Sequence, residues 1–429
     1  MITRREFLIL GGGALAAPFL GCGGSIGGAG VTAVVRSTVR WTLRTADADL
    51  AGAIVRIATN ATVARRQAQA GVFQQLGLGI VEGRVEDSSG TTLAGLSVGA
   101  FDEAGGAVGP IVYRGASGTL EPSLSATTSD GGFMILNVPP GRYLLRVTAG
   151  GNGFFPFSVT ADGAAVVELV AQTGIPLFVQ HSGATRNGSG TLEPSVTLRA
   201  LGVGAPFPVV SDATGAFGPL LLPANGELVY RLSKAGFIDT YTFLRYGMTS
   251  ISQDLQVFTT AERDAAAFKP ASISIDPAKG IVSGIVRTSA GAPLAGAAVA
   301  ASSGTVVYSD AGGSADDALT ATTASGEFTV FNCVPGPVAL AASAAGLSAG
   351  LPVEAVAGAI MLVPDALRLT AAAALTVALS GTTTDLDAAP VGGVSFSIAG
   401  VGTAVSGADG AFSIAGLPSH ARLVLSSPA

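Results

Sequence analysis

The stretch Thr127–Gly141, TTSDGGFMILNVPPG, constrains this chain more than any other. Asp130-Gly131 is a turn signal, an apolar strand follows, and Pro139-Pro140-Gly141 turns the chain into the alternating strand Tyr143–Ala149. The design returns as TTASGEFTVFNCVPG over Thr322–Gly336, and more loosely over Ser211–Gly226 and Ser406–His420. A chain that repeats strand, glycine turn, strand, proline turn is a tandem of small β units.

Length and composition agree. A chain of 429 residues is too long for one core, and about 100–200 residues per domain gives three or four. The 60 glycines and 22 prolines suit many short strands joined by turns. Disorder, the competing reading of so much glycine, fails because 48% of the residues are hydrophobic. A net charge of -6 leaves no basic footprint for nucleic acid.

Ile80–Ala100 aligns with Ile281–Ala301 without a gap, with 11 of 21 positions identical, and Val112–Gly141 aligns with Val307–Gly336. These are two copies of one unit. Gly83-Arg84-Val85 and Gly284-Ile285-Val286 read as the start of an edge strand. Val98 and Ala100 fall on one face of the next. In Tyr143–Ala149, Tyr143, Leu145 and Val147 point one way, and Leu144, Arg146 and Thr148 the other. Upstream, Val31–Leu43 and Ala53–Ala58 read as strands and Ala61–Gln75 as a helix. Thr259-Thr260-Ala261-Glu262 is a capping box opening a short linker helix to Phe268, closed by Pro270.

The sequence G-x-V, then P-L-A-G-A-x-V (Pro293–Val299), T-x-x-x-G-x-F, N-V-P-P-G and Y-x-L-x-V resembles the carboxypeptidase regulatory-like domain. That resemblance implies an all-β fold of tandem antiparallel seven-stranded transthyretin-like β-sandwiches, with short helices only in the signal segment and linkers. It is close over 80–173 and 280–370, and divergent over 174–260, with a linker at 261–279. Over 371–429 it covers only the first part of a domain: this last unit is either incomplete or completed by a strand from elsewhere, for which Val31–Leu43 is the candidate.

Residues 1–22 read as an export segment, followed by a tether and N-terminal strands over 23–79. Arg4 and Arg5 before Phe7-Leu8 resemble a twin-arginine motif. Phe19-Leu20-Gly21-Cys22 resembles a bacterial lipobox, which implies a lipid on Cys22 and places Gly23–Gly30 as a flexible tether. The mature chain is thus expected in the periplasm or at the cell surface, anchored in a membrane.

Chemistry is sparse. The two histidines, His181 and His420, lie in different units and read as surface loop residues, so neither a hydrolase triad nor a histidine metal site is expected. Tyr113-Arg114-Gly115 matches a fragment of the transthyretin-like hydrolase motif, but no histidine shares its unit. Asp310, Asp316 and Asp317, and Asp385 with Asp387, read as solvated turn residues, with calcium as the alternative. Lys279 invites an isopeptide bond but has no matching partner motif, and Cys333 reads as a small buried hydrophobe. No catalytic residue, metal or cofactor is expected. The expected role is a non-catalytic envelope module presenting loops to a protein or glycan; the alternative is a carbohydrate-binding accessory protein. With one Trp and six Tyr, a sugar platform has little to draw on.

Overall fold

The computed structural model of the chain describes residues 6–10, 39–44, 50–58, 67–73, 75, 77–87, 91–159, 164–173, 178–201, 207–223, 227–247, 249–372, 376–385, 390–398, 402–419 and 422–427. The fold is all-β. Among the described residues, helix is confined to Thr260–Asp264 and one turn over 67–70.

The repeated turn explains why. Gly131, Gly215, Gly326 and Gly410 have φ of 68°, 78°, 69° and 77°, a region that favours glycine. The carbonyl of each accepts a hydrogen bond from the strand that opens its own unit, from the backbone N–H of Val85, Thr185, Val286 and Thr383 respectively. Four residues before each glycine stands a buried hydroxyl: Thr127, Ser211, Thr322 and Ser406. Each accepts from the backbone N–H of the next strand's approach, Leu96, Val196, Ala297 and Val394, at 2.9–3.0 Å. The T-x-x-x-G spacing is therefore a staple between the two sheets of a sandwich. Gly131→Val is expected to cost about 3 kcal/mol, since its Cβ would sit 2.8 Å from the Val85 carbonyl and its backbone would be strained. Thermal unfolding checks this; a melting profile like the parent's would contradict it.

In the first unit the opening strand Gly79–Glu86 lies between the antiparallel Gly132–Val138 and the parallel Ala164–Val170. Ser97–Phe101, Gly141–Ala149 and Phe154–Val159 form the facing sheet. Val81, Val85, Val98, Phe133, Leu145 and Val147 meet in one core between them. The third unit repeats this order strand for strand. Gly280–Thr288 lies between Glu327–Cys333 and Ile360–Ala371, and Ala298–Ala301, Gly336–Ala344 and Leu347–Ala355 face it. The second unit does so with a shorter closing stretch, Ile251–Ser252 and Leu255–Gln256, beside Phe178–Arg186. The opening strand is thus central in its sheet, not at an edge. The polar residues of the strand lie on its outer face, while Gly83 and Gly284 fall on the core face between Val81 and Val85 and between Val282 and Val286, where Phe328 and Val363 leave no room for a Cβ on Gly284.

The C-terminal strands are completed by the N-terminal ones. Thr376–Asp385 pairs in parallel with Leu50–Ala58, as Gly79–Glu86 pairs with Ala164–Val170. Arg422–Ser427 pairs antiparallel with Val39–Arg44, as Gly141–Ala149 pairs with Phe154–Val159. The start of the chain thus fills the last two strand places of the fourth unit.

Val39–Arg44 also bridges onward, with Val39–Trp41 parallel to Ala164–Val166 of the first unit. The second and third units meet in the same way, through Thr240–Thr242 and Ile360–Leu362. Leu144 of the first unit enters the second unit's core, Tyr241 and Phe243 of the second enter the third's, and Ser348 of the third bonds the Ser419 carbonyl of the fourth at 2.6 Å. Each unit therefore touches the next and the fourth touches the first. The row of units expected from the repeats closes on itself.

Three helix expectations change: of the helix expected over Ala61–Gln75 the described residues hold one turn at 67–70, ended by Gly71 at a φ of 64°. Glu6–Leu10, inside the expected export segment, is a strand parallel to Leu50–Ala58. The ten residues ahead of Gly11-Gly12-Gly13 are fewer than an isolated helix needs, and a sheet edge takes Glu6–Leu10 as a strand. The linker helix Thr260–Asp264 carries the expected capping box, Thr259 with Glu262, but ends before Phe268.

Candidate functional site

Cys22, Arg4 and Arg5 lie outside the described residues, as do His420 and Asp387. His181 is not a loop residue. It sits in the strand Phe178–Arg186, fully buried, with Nδ1 3.1 Å from the Tyr230 hydroxyl and Nε2 3.3 Å from the Gln253 carbonyl. Its Ser/Gly surroundings suggested a loop, but a Cβ at Gly183 would fall 2.2 Å from the Gln253 carbonyl oxygen. That glycine admits a neighbouring backbone rather than making a turn. Burial lowers the His181 pKa, only partly offset by Gln253, so the ring stays neutral and packs edge-on against Phe217. It serves as a core group.

The acidic loops spend their oxygens on backbone. Asp310 Oδ1 accepts from the N–H of Gly312 and Ser314, Asp316 Oδ1 accepts from that of Ala318, and Asp317 bonds the Ser272 hydroxyl. Among the described residues no three His, Cys, Asp or Glu side chains converge on one point. Lys279 is half-buried at most, its Nζ 3.9 Å from Asp276, rather than buried as an isopeptide lysine is. Cys333 is buried, which pushes its thiol up to about 11. All six tyrosines are buried. Phe73 is an exposed aromatic.

The sites that matter lie on the outer faces of the odd-numbered units, under the segments that precede them. Asn137 and Asn332, at positive φ, hold those segments in the same way. Asn137 accepts from the Gln75 N–H and donates to the Phe73 carbonyl; Asn332 accepts from the Asp276 N–H and donates to the Ser274 carbonyl, all at 2.7–3.0 Å. On the outer face of the first unit, the Arg114 guanidinium pairs with Glu82 and lies 3.7 Å from Asp130; Glu82 is 2% and Arg114 6% exposed.

Beneath the second cover the matching residues are Ser283 for Glu82, Ser309 for Arg114 and Thr329 for Met134. Ser283 and Thr329 share a 3.0 Å hydrogen bond. These small residues line a half-open cavity of about 370 Å³, with Glu327, Gln256, Glu262, Phe258 and Phe268 around it. Burial of Glu262 raises its pKa, but bonds from the backbone and hydroxyls of Thr259 and Ser189 outweigh that and hold the carboxyl below its usual range. Phe258 and Phe268 pack at 5.4 Å between ring centres, their planes tilted by 43°. The sequence reading missed this cavity. The signal was present in the aligned repeats, at the positions that differ rather than those that match.

No protein-family model matches the chain, and no curated protein does. Solved structures with partial likeness include the Bacillus anthracis TIE protein, at 14% identity, 68% of this chain, 51% of that chain and TM-score 0.17. BcpA, the major pilin subunit of Bacillus cereus, matches at 11% identity, 79% of this chain, 85% of that chain and TM-score 0.15. The minor pilin GBS52 of Streptococcus agalactiae matches at 12% identity, 42% of this chain, 96% of that chain and TM-score 0.18. The chain spans about half the length of the TIE protein. At these TM-scores the likeness carries no argument about function.

Proposed function

We propose that this chain is an exported, lipid-anchored, non-catalytic module of the cell envelope that presents loops to a protein partner. The observation that carries the reading is the closure of the four units by Val39–Arg44 and Leu50–Ala58. Shared cores and shared sheets keep the units fixed relative to one another, which suits presentation. With a lipid on Cys22, the 16 residues 23–38 would hold the closed assembly within about 55 Å of a bilayer. That is a short leash rather than a stalk. Among the described residues no helix is long and apolar enough to cross a membrane. Burial of all six tyrosines favours a protein over a glycan as partner. The resemblance of 80–173 and 280–370 to carboxypeptidase regulatory-like domains belongs to the same proposal, supported by their common strand order and staple.

Fractionation of cells tests the anchor. The parent chain is expected in the membrane fraction and Cys22→Ala in the soluble exported fraction. Retention of Cys22→Ala on membranes would overturn the lipid assignment.

A further inference from the structure

The cavity over the third unit is the place that the first unit fills with its own arginine. Three exchanges separate them, Glu82 to Ser283, Arg114 to Ser309 and Met134 to Thr329, and each removes side-chain bulk. A fourth adds a carboxylate where the first unit has no side chain, since Glu327 stands at the position of Gly132. In the first unit a guanidinium lies against the outer face of the sheet and pairs with Glu82 there. In the third, the guanidinium is gone, the cavity is open, and a carboxylate has moved to its rim.

We propose that this cavity binds a monoalkyl guanidinium, the end of an arginine side chain or a small molecule of the same chemistry. Its lining contains two carboxylates, Glu262 and Glu327, and neither lysine nor arginine. Nearby cations are committed to backbone elsewhere: Lys269 Nζ donates to the Ile273 carbonyl at 2.7 Å, and Arg287 Nε donates to the Pro364 carbonyl at 2.9 Å. Glu262 is engaged by Ser189 and Thr259 and shapes the wall, which leaves Glu327 as the charge-pairing group. Phe258 and Phe268 supply faces on which a planar cation rests. The hydroxyls of Ser283, Ser309 and Thr329 accept from the remaining N–H groups of the fork. A neutral or anionic ligand of the same shape would leave Glu327 unpaired or repelled.

Calorimetric titration of the folded full-length chain with agmatine tests the proposal, beside N-butylurea as neutral isostere and a capped arginine residue as mimic of a partner's side chain. Saturable binding of agmatine, of capped arginine, or of both is expected, at least about tenfold tighter than the urea. Agmatine alone would mark a free small molecule as the source, and capped arginine alone a protein partner. Glu327→Gln is expected to weaken the cation tenfold or more and leave the urea unchanged. Ser309→Arg with Ser283→Glu rebuilds the first unit's pair, and is expected to abolish binding while the chain stays folded, as its melting profile checks. Equal binding of urea and guanidinium, no binding of either cation at millimolar concentration, or unchanged binding in folded Glu327→Gln would each overturn the assignment. None of these outcomes depends on Cys22 or the membrane anchor.

Discussion

A chain lacking Val39–Ala58 is expected to lose the fourth unit while keeping the first three. Without Leu50–Ala58, the strand Thr376–Asp385 has no partner on one side, and without Val39–Arg44 the same holds for Arg422–Ser427. Both sheets of the unit are then open at once, and the core between them faces water on that flank. The expected cost is the whole folding free energy of a small domain, about 5 kcal/mol or more. Hydrogen exchange reads it directly, because amides in 376–385, 411–418 and 422–427 should lose protection while those in 280–371 keep theirs. Addition of a peptide spanning 39–58 should restore protection in a concentration-dependent way, since mass action then replaces the covalent tether. Retained protection in the truncated chain would mean that the C-terminal strands hold themselves together, and would sink the closure as a source of stability. The first unit gives an internal control, for its Ala164–Val170 keeps the Gly79–Glu86 partner when Val39–Trp41 is removed.

The turn and its repeats were legible because a glycine at positive φ leaves a residue-level signature, and T-x-x-x-G marks both halves of the staple. Alternation in Tyr143–Ala149 was legible too: Tyr143, Leu145 and Val147 enter one core, and Leu144 enters the next unit's. What alternation cannot report is which strand lies alongside. Hydrogen bonds between strands are made by backbone, so Val39–Arg44 carries no mark naming Arg422–Ser427 as its partner, and the opening strands carry none naming a parallel neighbour. That is why a central strand read as an edge and the fourth unit looked unfinished. His181 failed for a related reason: glycine for close approach and glycine for a turn look alike in one dimension. The candidate cavity depends on what is absent from Ser283 and Ser309 relative to Glu82 and Arg114, a comparison open to sequence once the repeat is aligned, but without meaning until these residues are seen to share the outer face of the sheet.

Arg114→Met is expected to destabilise the first unit by about 3–5 kcal/mol, the usual result of removing one partner from a buried ion pair. Glu82, 2% exposed, would keep its charge with no guanidinium against it. Arg84 does not rescue it: its guanidinium lies 3.7 Å from Asp130, on the rim. The double variant Glu82→Met with Arg114→Met should recover most of the loss, to within about 1 kcal/mol of the parent, because neither charge then needs water. Urea unfolding of parent, both single variants and the double completes the cycle. The single Arg114→Met variant should also regain stability as pH falls. An unpaired buried carboxyl has its folded-state pKa raised above the unfolded value, so the folded state takes up the proton first and acid favours it. A single variant as stable as its parent, or a double no better than the single, would show that the pair contributes through packing alone. The third unit already displays the uncharged solution at this position, with a serine-threonine hydrogen bond in place of the ion pair. Its sheet has the same strand order, so the ion pair is dispensable to the topology. The charges in the first unit thus occupy the outer face of its sheet, and their replacement by small hydroxyls in the third is what leaves room there for a guest.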